Sequence, residues 1–381
     1  MENTPRYEID FGKYKENCLD VMNSFSNAWC NTMYGYSVKT NRNPEMIKYA
    51  NRKLGWLIET VSPDEYNHVL NLGIKPEEII LNGPNKESIL VQACLSGTIV
   101  IIDNLTELEF LCSQVNKDIA SRVSVGLRVN FDLEKMCPSE TTAGESPSRF
   151  GICYENGDLG YAIEKLMQHN VSLMGLHTHI STKTRSLNVF ASIAKTIATI
   201  VEEYNLKLQF VDLGGGFFGG QVLPGKPTMK EYAEAIVGQL QRTLDPVTTK
   251  LIIEPGASTI ATAIKYVSSV VSIRRIRDTT FVTLDGSLLH INPFLAKRTP
   301  VYRIISKNQS LNRKIICKQV ICGSTCMEND RFMDLENEAA LQRGDIIEFY
   351  NTGAYTMALN SNFILPIPSI RYCKDNLDSD C

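Results

Sequence analysis

Residues that can do chemistry stand at the ends of short apolar runs. Lys39 follows Tyr36-Ser37-Val38, His177 and His179 close a run that starts at Ser172, and Gly214-Gly215-Gly216 follow Val211-Asp212-Leu213. Glu254 closes the run from Leu251 and precedes Pro255-Gly256. A lysine amine can form an imine with a carbonyl compound. The bare amides of consecutive glycines can cradle an anion such as phosphate. A histidine offers an aromatic face, and a glutamate offers a fixed carboxylate. Taken singly, each has a plain structural reading: a solvated lysine, a flexible turn, a carboxylate capping a turn. His177 and His179 share one face of a strand and could be a metal pair. However, no carboxylate or cysteine ligands at suitable spacing complete such a site, and Cys322 and Cys326 lack a second pair. No metal is expected.

The weight lies in how these residues are ordered along repeating elements. Eight candidate strands recur: Met33–Val38, Leu57–Val61, Ile79–Asn82, Ile99–Asp103, Val123–Val129, Ser172–His179, Leu208–Leu213 and Leu251–Glu254. Helical patterns lie between them, at Pro44–Leu54, Asp64–Leu72, Lys86–Leu95, Thr106–Asn116, Asn156–His169, Ser186–Tyr204 and Met229–Leu244. Ser62-Pro63-Asp64-Glu65 and Asn104-Leu105-Thr106-Glu107 read as helix starts. Alternating strands and helices imply parallel pairing with right-handed crossovers. Eight units in about 230 residues is the size of a closed (β/α)8 barrel of the TIM type. An open doubly wound sheet would carry a glycine fingerprint after its first strand, where Ser37-Val38-Lys39-Thr40 stands instead. In a barrel, groups at the C-terminal strand ends converge on one rim. Lys39, Glu59, His177, His179, the glycines and Glu254 all occupy such ends.

After Glu254 the pattern changes to turn-linked strands: Val267–Ile276, Phe281–Leu284, Lys314–Ile321, Asp345–Phe349 and Ser369–Tyr372. The expected organisation is a barrel over residues 10–264 and an all-β domain over 265–381, to which residues 1–9 contribute a strand. The tail Lys374–Cys381 is polar and expected to fray.

Composition sets the outer limits. A chain of 381 residues suits one large or two medium domains, and a net charge of −3 gives no reason to expect nucleic acid or an acidic membrane as partner. The most apolar stretch, Ser88–Asp103, is interrupted by Gln92, Ser96 and Gly97 and is too short to span a bilayer. The start Met-Glu-Asn-Thr-Pro-Arg-Tyr lacks the basic and apolar regions of a signal peptide, and eleven scattered cysteines show no disulfide framework. A cytoplasmic protein with reduced thiols is expected.

These motifs, in this order, resemble the fold-type III pyridoxal phosphate (PLP) decarboxylases, the group of ornithine and diaminopimelate decarboxylases. Tyr36–Asn41 resembles the cofactor-lysine motif, Gly175–Ile180 the histidine strand, Val211–Phe217 the glycine motif and Glu254-Pro255-Gly256 the glutamate motif. Cys322-Gly323-Ser324-Thr325-Cys326 resembles the catalytic-cysteine segment. Gly344-Asp345 with Asn351-Thr352-Gly353-Ala354-Tyr355-Thr356 resembles the closing motif, and Arg149-Phe150-Gly151 is a lesser echo. The resemblance spans nearly the whole chain. It implies PLP as cofactor and roles for particular residues. Lys39 forms the Schiff base and His179 stacks on the ring. Gly214, Gly215 and Gly216 hold the phosphate with Tyr355, Glu254 pairs with the pyridine nitrogen, and Cys326 returns a proton to carbon. It further implies a homodimer in which the cysteine reaches the site from the partner subunit. A carboxylate at Glu254 favours decarboxylation over the chemistry of alanine-racemase-like relatives, which place an arginine there.

The departures concern phosphate and substrate. Ala257 stands where the family usually has an arginine after Glu-Pro-Gly, and Ser181-Thr182 stand where Gly-Ser is usual. Met327 follows Cys326 in place of an acidic residue that reads a distal ammonium, with Glu328 and Asp330 beyond it. Asn292 occupies the position of an arginine that clamps a distal carboxylate in diaminopimelate decarboxylases. Met327 and Asn292 are therefore the candidate substrate contacts. The expected function is removal of an α-carboxylate from an amino-acid unit on a larger or less charged molecule, such as a siderophore precursor or a peptide or nucleotide antibiotic. The alternatives are a PLP-dependent amino-acid racemase and a non-catalytic homologue that acts by protein binding.

Overall fold

The computed structural model describes residues 3–307, 312–360 and 362–373. The tail Lys374–Cys381 lies outside them. Two compact units emerge, one of residues 18–258 and one of residues 1–17 with 259–381.

In the first unit eight parallel strands form a closed ring. In order they are Thr32–Ser37, Leu57–Thr60, Ile79–Leu81, Ile99–Ile102, Ser124–Asn130, Ser172–His179, Phe210–Gly214 and Lys250–Glu254. Each pairs with the next, and the eighth returns to the first through Leu251, Ile252 and Ile253 against Thr32, Met33 and Tyr34. The barrel expected from strand–helix alternation is thus present. A two-residue strand, Ile152–Cys153, pairs on the edge of the fifth strand.

The barrel interior is filled by Leu57, Ile80, Ile101, Phe210 and Ile252 from different strands. Phe210 fits because its neighbours lack side chains. A Cβ on Gly175 would stand 2.3 Å from its ring, and one on Gly126 would stand 3.1 Å away. Burying such a ring contributes about 2 kcal/mol. Outside the ring, helix Leu187–Glu203 turns Val189, Phe190, Ile193, Ala194, Ile197, Ile200 and Val201 inward at helical spacing. The Ser186 hydroxyl caps it by accepting from the Val189 amide at 3.2 Å. Phe190, Phe217 and Tyr232 form an aromatic trio with centroids 4.3, 4.9 and 5.2 Å apart. This trio fastens the chain after the three glycines to helices Leu187–Glu203 and Met229–Leu240.

The second unit is an eight-stranded sheet. Ile264–Ile276 runs antiparallel to Thr279–Leu284 and to Ile346–Phe349, and Ile315–Cys322 runs antiparallel to Arg331–Ala339. Arg6–Asp10 lies antiparallel to Ile264–Ile276 and parallel to Ser369–Cys373. Several elements were not read from the sequence, among them helix Phe11–Ala28 and strands Tyr302–Ile305 and Arg331–Ala339. The last carries Asp334, Glu336 and Glu338, residues with little strand preference. Register against Ile315–Cys322 makes it a strand. Residues 10–17 and 259–264 group with the β-unit rather than the barrel. The Asn17 amide bonds the Thr259 carbonyl and the Thr262 hydroxyl at 2.9 Å each, and Ile264 already begins a β-unit strand.

Candidate active site

The C-terminal rim of the barrel gathers Lys39, Glu59, Asn82, His177, His179, Asp212, Gly214 and Glu254. Lys39 follows the first strand, and the Val38 amide just before it bonds the Glu59 carbonyl at 3.0 Å. The Lys39 ammonium pairs with both carboxylate oxygens of Glu59, at 2.5 and 2.6 Å. Glu59 is wholly buried at the end of the second strand. Asn82, just past the third strand, donates one amide group to Glu59 at 3.3 Å and to Glu254 at 3.0 Å. It thereby ties the second strand's carboxylate to the eighth strand's.

The other oxygen of Glu254 is buried and has no hydrogen-bond partner. It stands 3.9 Å from His177 Nε2 and 3.9 Å from His179 Nδ1, beyond hydrogen-bond reach. Both carboxylate oxygens of Asp212 are buried and unpartnered too. His177, Asp212 and Glu254 each bring a polar atom within 4.8 Å of the others. Two carboxylates so close in a dry site do not both stay charged. Burial and the charges of Glu254 and Glu59 push Asp212 well above the usual carboxylate range, so it keeps its proton. Burial works against Glu254 as well, but its neighbours, the Lys39 charge among them, hold it well below that range. Burial lowers the His177 imidazole, which stays neutral. The rim therefore offers one ionised, unbonded carboxylate oxygen.

A cavity of about 640 Å³ lies at this rim, lined by Lys39, Glu59, Asn82, Arg128, His179 and Glu254 among others. That volume suits a cofactor with a small substrate. Arg128 is held by Asp103 at 2.9 Å and donates to the His179 carbonyl at 3.2 Å, bracing the strand end that carries the histidine. Beside the cavity, a Cβ on Gly214 would stand 2.4 Å from His179 Nδ1 and 2.8 Å from Glu254 Oε2. Only a glycine leaves that space open. The bare backbone, the orphaned carboxylate oxygen and the nearby amine fit a phosphorylated pyridine aldehyde.

Other residues singled out from the sequence belong to the β-unit. Cys326 is exposed and lines a cavity of about 410 Å³ with Cys322, Met327, Arg274 and Arg331. Asp330 is buried and structural: it accepts from the Leu288 and Thr325 amides at 2.7 and 3.1 Å and from the Thr325 hydroxyl at 2.6 Å. Glu328 is exposed and paired with Arg331 at 3.3 Å. Asn292 is buried, and its side chain closes a turn on the Ala296 backbone at 2.8 and 3.1 Å. Its amide is thus committed to its own loop. Tyr355 is partly exposed at a left-handed φ of +57°.

Sequence reasoning passed over Asn82, Asp212, Arg128 and Arg185 as site residues. Asn82 closes a candidate strand and Asp212 lies inside the glycine motif, so strand-end position was an available signal for both. Arg185 lies in a loop and touches the glycine cradle only through tertiary packing.

An amine, an anion cradle and an unbonded carboxylate on one barrel rim define the barrel-type pyridoxal enzymes. Residues 15–261 match the family model described as the pyridoxal-dependent decarboxylase, pyridoxal binding domain. The chain belongs to this family and is a PLP-dependent amino-acid decarboxylase. Over 98% of its length it is 25% identical to the diaminopimelate decarboxylase of Staphylococcus aureus, covering 89% of that protein. Its fold is that of the Helicobacter pylori diaminopimelate decarboxylase complexed with L-lysine, with a TM-score of 0.80, 22% identity, and coverage of 99% of this chain and 93% of the other. The Vibrio vulnificus lysine/ornithine decarboxylase complexed with cadaverine is similar, with a TM-score of 0.77, 20% identity, and coverage of 98% and 96%.

Proposed function

We propose that the protein removes the α-carboxylate of an amino-acid unit carried on a larger or less charged molecule, within the biosynthesis of a specialised metabolite such as a siderophore or a peptide or nucleotide antibiotic. The observation that carries this reading is the loop around Cys326. Met327 follows the cysteine, Asp330 is spent on backbone amides, Glu328 is paired with Arg331, and Asn292 is tied to Ala296. No carboxylate there is left for a distal ammonium, and no arginine stands at 292 for a distal carboxylate. Losing such a partner costs roughly 2–5 kcal/mol of binding, which separates this chain from enzymes of free ornithine, lysine or diaminopimelate.

Bound PLP supplies an electron sink for the bond to the departing carboxylate. The chain's residues supply the rest. Lys39 must shed a proton before its amine can attack an aldehyde, and Glu59 at 2.5 Å is the acceptor. Glu254 offers its unbonded oxygen to a ring N–H and keeps it protonated. His179, braced through Arg128, presents its face to the ring. Gly214, Gly215 and Gly216 hold the phosphate with backbone amides, and the Tyr355 hydroxyl adds a bond. The Cys326 thiol delivers a proton to carbon, and the partner subunit supplies it, so the working unit is a homodimer. In support, many large apolar side chains left exposed belong to the β-unit, including Phe294, Val301, Ile315, Ile364 and Ile367. A cytoplasmic location accords with cysteines that form no disulfide among the described residues, and no helix among those residues is long and apolar enough to cross a membrane.

The test is product analysis with purified holoenzyme. Free ornithine, lysine and diaminopimelate should be turned over poorly. Ordinary efficiency on any of them overturns the substrate reading. Lys39→Ala should abolish both carbon dioxide release and the visible absorbance of the bound cofactor. Retention of that absorbance would remove Lys39 from its role.

A further inference from the structure

We propose that Arg185, in the loop after the sixth barrel strand, is the cation that neutralises the cofactor phosphate on the Gly214–Gly216 amides. This rests on the PLP reading of the rim and assigns a residue to a task left vacant by Ala257. A phosphate monoester carries close to two negative charges at neutral pH. Charge-assisted hydrogen bonds to it are roughly twice as strong as neutral ones. The segment after Glu254 brings no charge. Ala257 is apolar, and the Ser258 hydroxyl donates to the Pro255 carbonyl at 2.9 Å.

Arg185 stands against the third glycine. Its Nε lies 3.2 Å, and its Cζ 3.7 Å, from the point a Cβ on Gly216 would occupy. The guanidinium makes no ion pair among the described residues, whereas Lys39 is engaged by Glu59 and Arg128 by Asp103. The residue is also held in place. Its backbone is left-handed at φ +54°, a conformation that non-glycine residues rarely adopt. The Tyr232 hydroxyl sustains that conformation by donating to the Arg185 carbonyl at 2.5 Å. Tyr232 in turn packs on Phe217, the residue after the glycines, and the guanidinium lies 5.2 Å over the ring of Phe218. These contacts hold the guanidinium at the lip of the anion cradle. Lys226 also lies 5.2 Å from the Phe218 ring, but it is exposed and stands as the control.

The experiment measures dissociation constants of PLP and of pyridoxal, which lacks the phosphate, for the apoprotein. Wild type should bind PLP far more tightly than pyridoxal. Arg185→Ala and Arg185→Gln should each weaken PLP by about 10- to 100-fold, the loss of one charged hydrogen bond, and leave pyridoxal affinity within about twofold. Lys226→Ala should leave both unchanged. The inference is overturned if both Arg185 variants bind PLP like wild type. It is equally overturned if they lose PLP and pyridoxal alike, which marks a structural role, or if Lys226→Ala produces the selective loss. Should wild type itself show no preference for PLP, the cofactor reading of the rim fails before Arg185 is in question.

Discussion

At the scale of single residues, the rim is an arrangement of charge in a dry place. Glu254 remains ionised because Asp212 does not, and Asn82 turns a donor toward Glu254 and Glu59 at once. The raised Asp212 has a definite consequence for stability. Above the ordinary carboxylate pKa the unfolded chain has released a proton that the folded chain still holds, so Asp212 costs stability increasingly as pH rises toward its folded value. An amide at this position never ionises. Asp212→Asn should therefore gain stability relative to wild type at about pH 8 compared with about pH 5, read from urea unfolding of the apoprotein. An equal difference at both values would mean that Asp212 is charged in the fold.

At the scale of elements, the site depends on how tightly adjacent strand ends approach. The turn after Asn82 is one such close approach. Gly83 has φ +88°, and a Cβ there would stand 2.2 Å from the Val61 carbonyl oxygen, which belongs to the turn after the second strand. An alanine must push the third and second strand ends apart and carry Asn82 away from both carboxylates. Gly83→Ala should cost about 3 kcal/mol in denaturant unfolding and lower kcat together with it. A variant within about 0.5 kcal/mol of wild type would show that this turn yields freely. The element scale is also where sequence reading was weakest. Helix Phe11–Ala28 buries Tyr14, Cys18, Val21 and Phe25 at helical spacing, a pattern present in the sequence that the strand–helix count passed over. Strand Arg331–Ala339 had no such pattern, because its neighbour alone imposes the register.

At the scale of the whole molecule, the candidate groups fall on two units. The amine, the carboxylates and the cradle belong to the barrel, while Cys326, Met327 and Tyr355 belong to the β-unit. In the proposed homodimer the partner subunit's Cys326 completes the site. Lys39→Ala and Cys326→Ala proteins, each inactive alone, should then regain about a quarter of wild-type activity when unfolded and reassembled together in equal amounts, because half the dimers are mixed and carry one intact site of two. No recovery, with dimers demonstrably mixed, would place Cys326 in its own subunit's site.

The sequence by itself determined the barrel and most of the candidate groups on its rim. Strand–helix alternation is a local pattern, and Lys39, His179, Gly214–Gly216 and Glu254 sit at strand ends that a closed barrel must bring to one rim. Only the tertiary structure decided the state of those groups. Glu254 meets Asn82 across a separation of 172 residues, and Asp212 keeps its proton because barrel closure buries it beside two other carboxylates. Arg185 reaches Gly216 from a loop whose backbone the Tyr232 hydroxyl holds, 47 residues away in the chain. Burial and charge proximity are properties of space, and spacing along a chain does not record them.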